Sequence, residues 1–150
     1  MKSVLLALDI ATHLGWCIEP GKISGMEDFS VPKGKQNSIR PYKFWLWLVQ
    51  IIKQYDVTSI AYERAAGANQ GALIIMSEIA GVMKALAWHH NIQVLDPISP
   101  KTIKKSFTGS GNASKEDMNK EFYKRFKKVP ESDDESDATA LWLYINSIRT

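Results

Sequence analysis

Short apolar runs in the first part of the chain predict strands. Residues 3–10 form a short, aliphatic-rich run, which is typical of a buried sheet strand. Residues 15–19 predict a second strand that returns beside the first. After a Pro20-Gly21 turn, the loosely alternating residues 22–31 predict an edge strand. The chain is therefore predicted to open with an antiparallel meander.

The pattern then changes to helical spacing. After a loop over residues 32–35, Ser38 can cap a helix that ends near Tyr55. The apolar positions that keep the spacing of one buried helix face are Trp45, Leu48, Val49 and Ile52. We expect the aromatic residues of this helix to lie in the core rather than to form a platform for stacking bases. Residues 57–63 predict the next strand.

A second long helix is predicted from about residue 72 to residue 90, and its apolar residues fall on more than one face. They are Leu73, Ile74, Ile75, Met76, Ile79, Val82, Met83 and Leu86. A surface helix of a monomer needs one apolar stripe, so the second indicates deep burial or a subunit contact. Residues 92–95 predict a fifth strand. Together these elements predict an α/β fold with a mixed five-stranded sheet, an antiparallel meander followed by parallel strands, flanked by helices.

The remaining third of the chain is predicted to be helical. A short helix is predicted over residues 99–107. Capping-box patterns at Ser114 and Ser132 predict two further helices, which end near residues 128 and 148.

Composition favours a single soluble domain. At 150 residues and 45% hydrophobic content, the chain fits one domain over residues 1–150. The lone Cys17 excludes a disulfide within the chain and a cysteine-based zinc site, which suits a reducing cytoplasm. Asp9 and His13 interrupt the apolar start, so we interpret it as mature protein rather than a signal peptide. No uninterrupted apolar run approaches the roughly 18 residues of a membrane span.

The net charge of +3 conceals a local contrast. Residues 100–128 hold nine Lys and Arg against three acids, and residues 131–137 then hold five acids and no base. A basic helix face is common on solvated surfaces. A basic stretch that adjoins a carboxylate cluster is rarer, because a site that holds both a polyanion and a cation needs it.

Four carboxylates occupy positions where a bound cation or a hydrogen-bond partner is expected to compensate their charge. Asp9 lies in an apolar strand, where an ionised group is costly unless it is compensated, and Glu63 ends a later strand. Alternatively, Asp9 only ends its strand and caps a turn. Asp134 and Asp137 are three apart and project from one face of the last helix. The helix dipole favours any single acid in that first turn, but it does not account for the whole set.

The donor chemistry of this set indicates a hard divalent cation. Four oxygen ligands without cysteine or histidine at metal-ligand spacing favour Mg²⁺ or Mn²⁺ over zinc. Two such ions roughly 4 Å apart can activate a water and stabilise the leaving oxygen in phosphodiester cleavage. Asp133 competes with Asp134 for a place in the set, because it also faces Asp137 at i, i+4. The three histidines are interpreted as ordinary residues.

These features together resemble the RuvC family of Holliday junction resolvases. The residues that carry the resemblance are Asp9, Glu63, the segment 103–109, Lys115 and the segment 134–138. They extend over nearly the whole chain, in order and with compatible spacing. The resemblance implies an RNase H-like fold, a homodimer, and Mg²⁺-dependent nicking of four-way or otherwise branched DNA. It also implies two ions, for which Mn²⁺ substitutes.

The resemblance implies roles for individual residues. The metal-binding and catalytic acids are Asp9, Glu63, Asp134 and Asp137. The DNA-binding residues are Arg64, Lys104, Lys105 and Lys115. Lys115 is also expected to act in catalysis closest to the scissile phosphate, where its charge offsets charge that develops in the transition state.

Two local differences indicate a branch of the family. Cellular members carry Asp-Pro-Gly at the first acid, whereas this chain has Asp9-Ile10-Ala11, which is similar to the phage-encoded branch. Cellular members also carry an aromatic residue three positions after the strand-end glutamate, where this chain has Ala66. The cleavage sequence and the preferred branched structure therefore stay open. A bacterial cytoplasm and a phage or prophage gene are expected.

Three other functions share part of the pattern. An RNase H-type ribonuclease would use the same acids on RNA/DNA hybrids, and a noncatalytic protein would bind branched DNA without them. Proteins of the actin, Hsp70 and sugar-kinase group have a similar strand-turn but use two such domains.

Symmetrical cleavage of a junction needs two active sites related by a two-fold axis. We expect the subunit contact on the helix over residues 72–90, where Gly81 allows close approach and Ile75 and Met83 face outward.

Overall fold

The strands form one mixed sheet. They are β1 (Leu5–Asp9), β2 (His13–Glu19), β3 (Ile23–Asp28), β4 (Ser59–Tyr62) and β5 (Gln93–Val94). This computed structural model describes residues 2–65, 67 and 69–149, so Ala66 lies outside the described residues. The order across the sheet is β3-β2-β1-β4-β5, antiparallel from β3 to β1 and parallel from β1 to β5. The predicted meander followed by parallel strands is confirmed, although β5 has only two residues.

Helices cover both faces of the sheet. They are α1 (Ile39–Tyr55), α2 (Gln70–His89), α3 (Pro100–Thr108), α4 (Lys115–Phe126) and α5 (Asp133–Arg149). Successive side chains of a strand point to opposite faces. In β1, Leu6 and Leu8 therefore pack with α1 and α2, whereas Leu5 and Ala7 pack with α3, α4 and α5. The central strand is buried on both sides, which explains its continuous apolar run.

The buried face of α1 differs from the predicted one. Its buried residues are Phe44, Leu48, Ile51 and Ile52. Trp45 is 42% exposed and stacks on Tyr42, which is also exposed. The prediction that the aromatic residues of this helix lie in the core is therefore wrong for these two. The helix is rotated so that Phe44 packs edge-on against Phe29 of the sheet layer.

The long helix α2 is half core and half surface. Its buried residues are Ile79, Met83, Leu86 and Ala87. Met83 is fully buried, so the prediction that it faces outward is wrong, and Ile75 is half-buried against the core. Leu73 and Ile74 are the exposed apolar residues of its first turns. By length and composition alone α2 could cross a membrane, but helices that pack in the core of soluble proteins pass the same test.

The topology brings the strand-end acids to one edge of the sheet. β1 and β4 are parallel neighbours, and their last paired residues are Leu8 and Tyr62. Asp9 and Glu63 follow directly, so both lie at the carboxyl edge of the sheet. In open α/β sheets this edge is where ligands bind.

Candidate active site

The start of α5 packs unusually closely against the sheet. An ideal Cβ on Gly15 of β2 would lie 1.8 Å from the carbonyl oxygen of Asp134, so only glycine fits there. Glycine inside a strand marks such a close backbone approach. This signal was present in the sequence, but the sequence reasoning assigned Gly15 no role. Gly15 therefore determines the distance between the start of α5 and the sheet.

A buried glutamate anchors the same end of α5. Glu135 is 3% exposed, and its carboxylate accepts hydrogen bonds from Ser24 Oγ at 2.6 Å and from the backbone N–H of Glu131 at 2.5 Å. Buried carboxylates persist when their oxygens are satisfied in this way. Glu135 thus ties the start of α5 to β3.

Three of the four predicted acids converge. Carboxylate oxygens of Asp9, Glu63 and Asp137 all lie within 4.8 Å of one another, although these residues come from β1, the end of β4 and α5. Asp134 is not a member of this group of three, but its charge acts on Asp9 and raises the pKa of that carboxyl. The four acids therefore form one cluster at the sheet edge, with Asp134 at its border.

The electrostatics of the cluster favour the binding of a cation. Burial raises the pKa of Asp9 well above its ordinary value, and the charges of Glu63 and Asp137 raise it further. Burial, followed by the charges of Glu63 and Asp134, raises the pKa of Asp137 to about 7. Burial also raises the pKa of Glu63 and of Asp134. Carboxylates this close cannot all ionise unless a positive charge compensates them.

The residues present fit a hard divalent cation. The group offers carboxylate oxygens only, which suits Mg²⁺ or Mn²⁺ better than zinc or copper. Asp9, Glu63 and Asp137 are placed so that together they could hold such an ion.

Of the basic side chains near the acids, some act on them electrostatically and others only lie nearby. The charge of Lys104 on α3 acts on Glu63 and Asp137, where it opposes the rise in pKa that burial causes. The charge of Lys115, at the start of α4, acts likewise on Asp134. Arg64 lines a cleft of about 200 Å³ together with Asp9 and Glu63. Lys105 is exposed on α3, one residue beyond Lys104.

Asp133 turns away from the cluster toward α4. Its Oδ1 accepts a hydrogen bond from Asn119 Nδ2 at 2.7 Å, and its Oδ2 lies 3.9 Å from Lys115 Nζ. Asn119 Oδ1 in turn accepts a hydrogen bond from the fully buried Ser136 at 2.7 Å. Asn119 therefore links α4 to α5 and orients Asp133, which in turn pairs with Lys115. It is one of many polar residues on α4, and no sequence signal distinguished it.

His13 lies closer to the acids than its interpretation as an ordinary residue implied. Its Nε2 is 3.4 Å from Asp28 Oδ1, and its charge, when it is protonated, acts on Asp134. It stands at the first position of β2, at the turn that follows Asp9.

Comparison with known proteins agrees with this architecture. Residues 34–144 match the family model of the crossover junction endodeoxyribonuclease RuvC. The RuvC of Pseudothermotoga lettingae is 33% identical over 97 residues, which are 63% of this chain and 59% of that protein. The RuvC of Chloroherpeton thalassium is 33% identical over 72 residues, or 47% of this chain and 38% of that protein. The chain thus matches about half the length of these relatives.

Solved structures show the same fold. The RuvC of Thermus thermophilus, solved in complex with a Holliday junction substrate, superposes with a TM-score of 0.73 at 15% identity, covering 93% of this chain and 90% of that one. The yeast mitochondrial Holliday junction resolvase gives a TM-score of 0.61 at 16% identity, covering 93% of this chain and 75% of that one. The fold is therefore the RNase H-like fold of these proteins. Because the family model matches most of this chain, the chain belongs to the RuvC family.

Proposed function

We propose that this chain is a metal-dependent, structure-selective endonuclease that nicks Holliday junctions and other branched DNA by hydrolysing phosphodiester bonds. The observation that carries the proposal is the convergence of Asp9, Glu63 and Asp137 within 4.8 Å at the carboxyl edge of the sheet, in a chain of the RuvC family. A noncatalytic DNA-binding protein has no need for clustered, half-buried acids that repel both each other and phosphate.

The four acids are the metal ligands in this proposal. Two Mg²⁺ ions, or Mn²⁺ in their place, would supply the charge that activates a water nucleophile and stabilises the leaving oxygen. Asp9, Glu63 and Asp137 compose the half-buried centre of the site, and Asp134 at its border completes it.

The basic residues divide between catalysis and binding. Lys115, paired with Asp133 and acting on Asp134, is the lysine proposed to offset charge on the scissile phosphate. Lys104, Lys105 and Arg64 are proposed to contact the DNA backbone, where each adds salt-dependent affinity.

The proposed active form is a homodimer of one domain over residues 1–150. Each domain carries one acid cluster, so paired cuts in opposite strands need two copies. Leu73 and Ile74 of α2 are proposed for the contact because they are apolar and exposed. A bacterial cytoplasm and a phage or prophage gene are proposed as the setting.

A panel of labelled substrates tests the proposal. Four-way junction, flap, plain duplex and RNA/DNA hybrid are incubated with the protein, with and without Mg²⁺. Preferential Mg²⁺-dependent cuts in the junction support a resolvase, whereas cuts in the RNA strand of the hybrid indicate a ribonuclease. Asp9→Asn is the matched control and should bind but not cut. Junction binding without cleavage in any metal would refute the enzymatic role.

A further inference from the structure

An exposed aromatic pair on α1 belongs neither to the core nor to the acid cluster. Tyr42 is 57% exposed and Trp45 is 42% exposed. Their rings stack, with centroids 6.2 Å apart and planes inclined by 15°. The other ring contacts of this region are edge-on, such as that between Phe29 and Phe44 at 81°, or tilted, such as that between Phe44 and Trp47 at 37°. A parallel and exposed ring pair is the arrangement on which another planar group can stack.

The chain segment that carries this pair is basic, and the acid that acts on Lys43, Asp28, lies just outside that segment. Residues 29–55 contain five Lys and Arg and no Asp or Glu. Lys33 and Lys35 lie in the exposed loop before α1, and Lys43 lies between the two aromatic residues in sequence. A second copy of the chain in a symmetrical contact would bring like charges together, which is unfavourable. An anionic partner with planar groups would complement both the positive charge and the exposed rings.

The pair is held at the same edge of the sheet as the acids. The N–H of Phe29 donates a hydrogen bond of 2.8 Å to the carbonyl of Thr12, which is in the turn that follows Asp9. The carbonyl of Phe29 accepts a hydrogen bond of 3.1 Å from Nε of Arg40, in the first turn of α1. Two hydrogen bonds therefore join the start of α1 to the turn after the first metal-binding acid. DNA seated at the acids would pass this helix end.

We propose that Tyr42 and Trp45, flanked by Lys43, form a stacking platform for unpaired bases of branched DNA bound at the acid cluster. The inference rests on the proposed function and adds a basis for structural selectivity. Bases inside a continuous duplex are already stacked and cannot reach the platform. Bases at a branch point can unstack at small cost, and each base that stacks on an aromatic ring is held without regard to sequence.

The test compares branched and linear DNA in the Asp9→Asn background, which keeps the substrate intact. Affinities for a four-way junction and for a duplex of the same sequence are measured by fluorescence anisotropy. Trp45→Ala and the double change Tyr42→Ala/Trp45→Ala should weaken junction binding by about 5- to 100-fold, with less than a twofold effect on duplex. Trp45→Phe should retain most of the affinity, because a ring is kept.

Trp88→Ala is the matched control. Trp88 is 87% exposed but lies near the end of α2, which leads away from the acid edge to β5. It should leave both affinities unchanged. In parallel, 2-aminopurine at the branch point should lose fluorescence on binding, and the double variant should abolish that quenching.

Three results would overturn the inference. Unchanged junction affinity in a double variant that melts like the parent removes the platform. Equal losses on junction and duplex assign the residues to general DNA binding. A shift from dimer to monomer in sedimentation assigns the pair to a contact with a second copy.

The two proposals fail separately. If the parent protein cuts junctions in Mg²⁺ while the double variant binds them normally, only the platform is wrong. If 2-aminopurine is quenched by Trp45 but no substrate is cut, only the nuclease assignment is wrong.

Discussion

Gly15 offers the sharpest test of how the active site is assembled. A methyl group at this position would lie 1.8 Å from the carbonyl oxygen and 2.2 Å from the carbonyl carbon of Asp134. Ordinary van der Waals contact begins near 3.4 Å, so Gly15→Ala requires the start of α5 to move by about 1.6 Å. The obstructing atoms are backbone, so no side-chain rotation can relieve the overlap.

This displacement changes the positions of two of the acids directly, because Asp134 and Asp137 belong to the helix that moves. A misplacement of about 1 Å in a catalytic group can cost roughly 100-fold in rate. Overpacking costs about 1 to 3 kcal/mol of stability. For a domain of this size that lowers the Tm by roughly 2 to 12 °C. We expect Gly15→Ala to lose at least about 100-fold in cleavage rate while it stays folded at 25 °C.

Single-turnover cleavage of a labelled four-way junction at saturating Mg²⁺ measures the rate, and calorimetry measures the Tm. Gly71→Ala is the control, because its methyl group would meet no atom closer than 3.6 Å. Cleavage by Gly15→Ala within threefold of the parent, at an unchanged Tm, would refute the claim that this glycine seats α5.

Three further predictions concern charge and assembly. In EDTA, the Tm should fall as pH rises toward and through 7, because a carboxyl whose pKa is raised in the folded state, such as that of Asp137, favours folding only while it is protonated. Mn²⁺ should restore the Tm at pH 8, and Asp137→Asn should make the metal-free profile less steep. Lys115→Ala should lower the single-turnover rate roughly 10-fold or more with little change in junction affinity, whereas Lys124→Ala should leave the rate unchanged. Equal effects of the two substitutions would mean that both lysines only add to a general electrostatic attraction for DNA. In sedimentation at micromolar concentration, Ile74→Glu should shift the protein from dimer toward monomer. If the unmodified protein sediments only as a monomer, both free and bound to junction DNA, the proposed dimer is wrong.

The acid cluster illustrates what sequence reasoning can reach. Asp9 and Glu63 were identified because a carboxylate in or at the end of an apolar strand is conspicuous against its neighbours. Asp134 and Asp137 were identified by helical spacing. Both signals are local, since they depend on the period of the element that carries the residue. Local signals could name the acids but could not decide between Asp133 and Asp134.

That decision came from long-range contacts. Asp133 is turned toward α4 by Asn119 and Lys115, and those two lie fourteen and eighteen positions earlier in the chain. The rotation of α1 is a similar case. Apolar spacing allowed a buried face that included Trp45, and packing against Phe29, directly after β3, selected one that includes Phe44.

The sequence by itself determined the order of strands and helices, the mixed sheet and the identity of the acids, because hydrophobic periodicity and the cost of burying charge are read along the chain. Only the tertiary structure decided which carboxylates meet, how closely α5 approaches Gly15, and which aromatic residues of α1 stay on the surface. Those outcomes depend on contacts between segments far apart in sequence, where the shapes of both partners must be known at once.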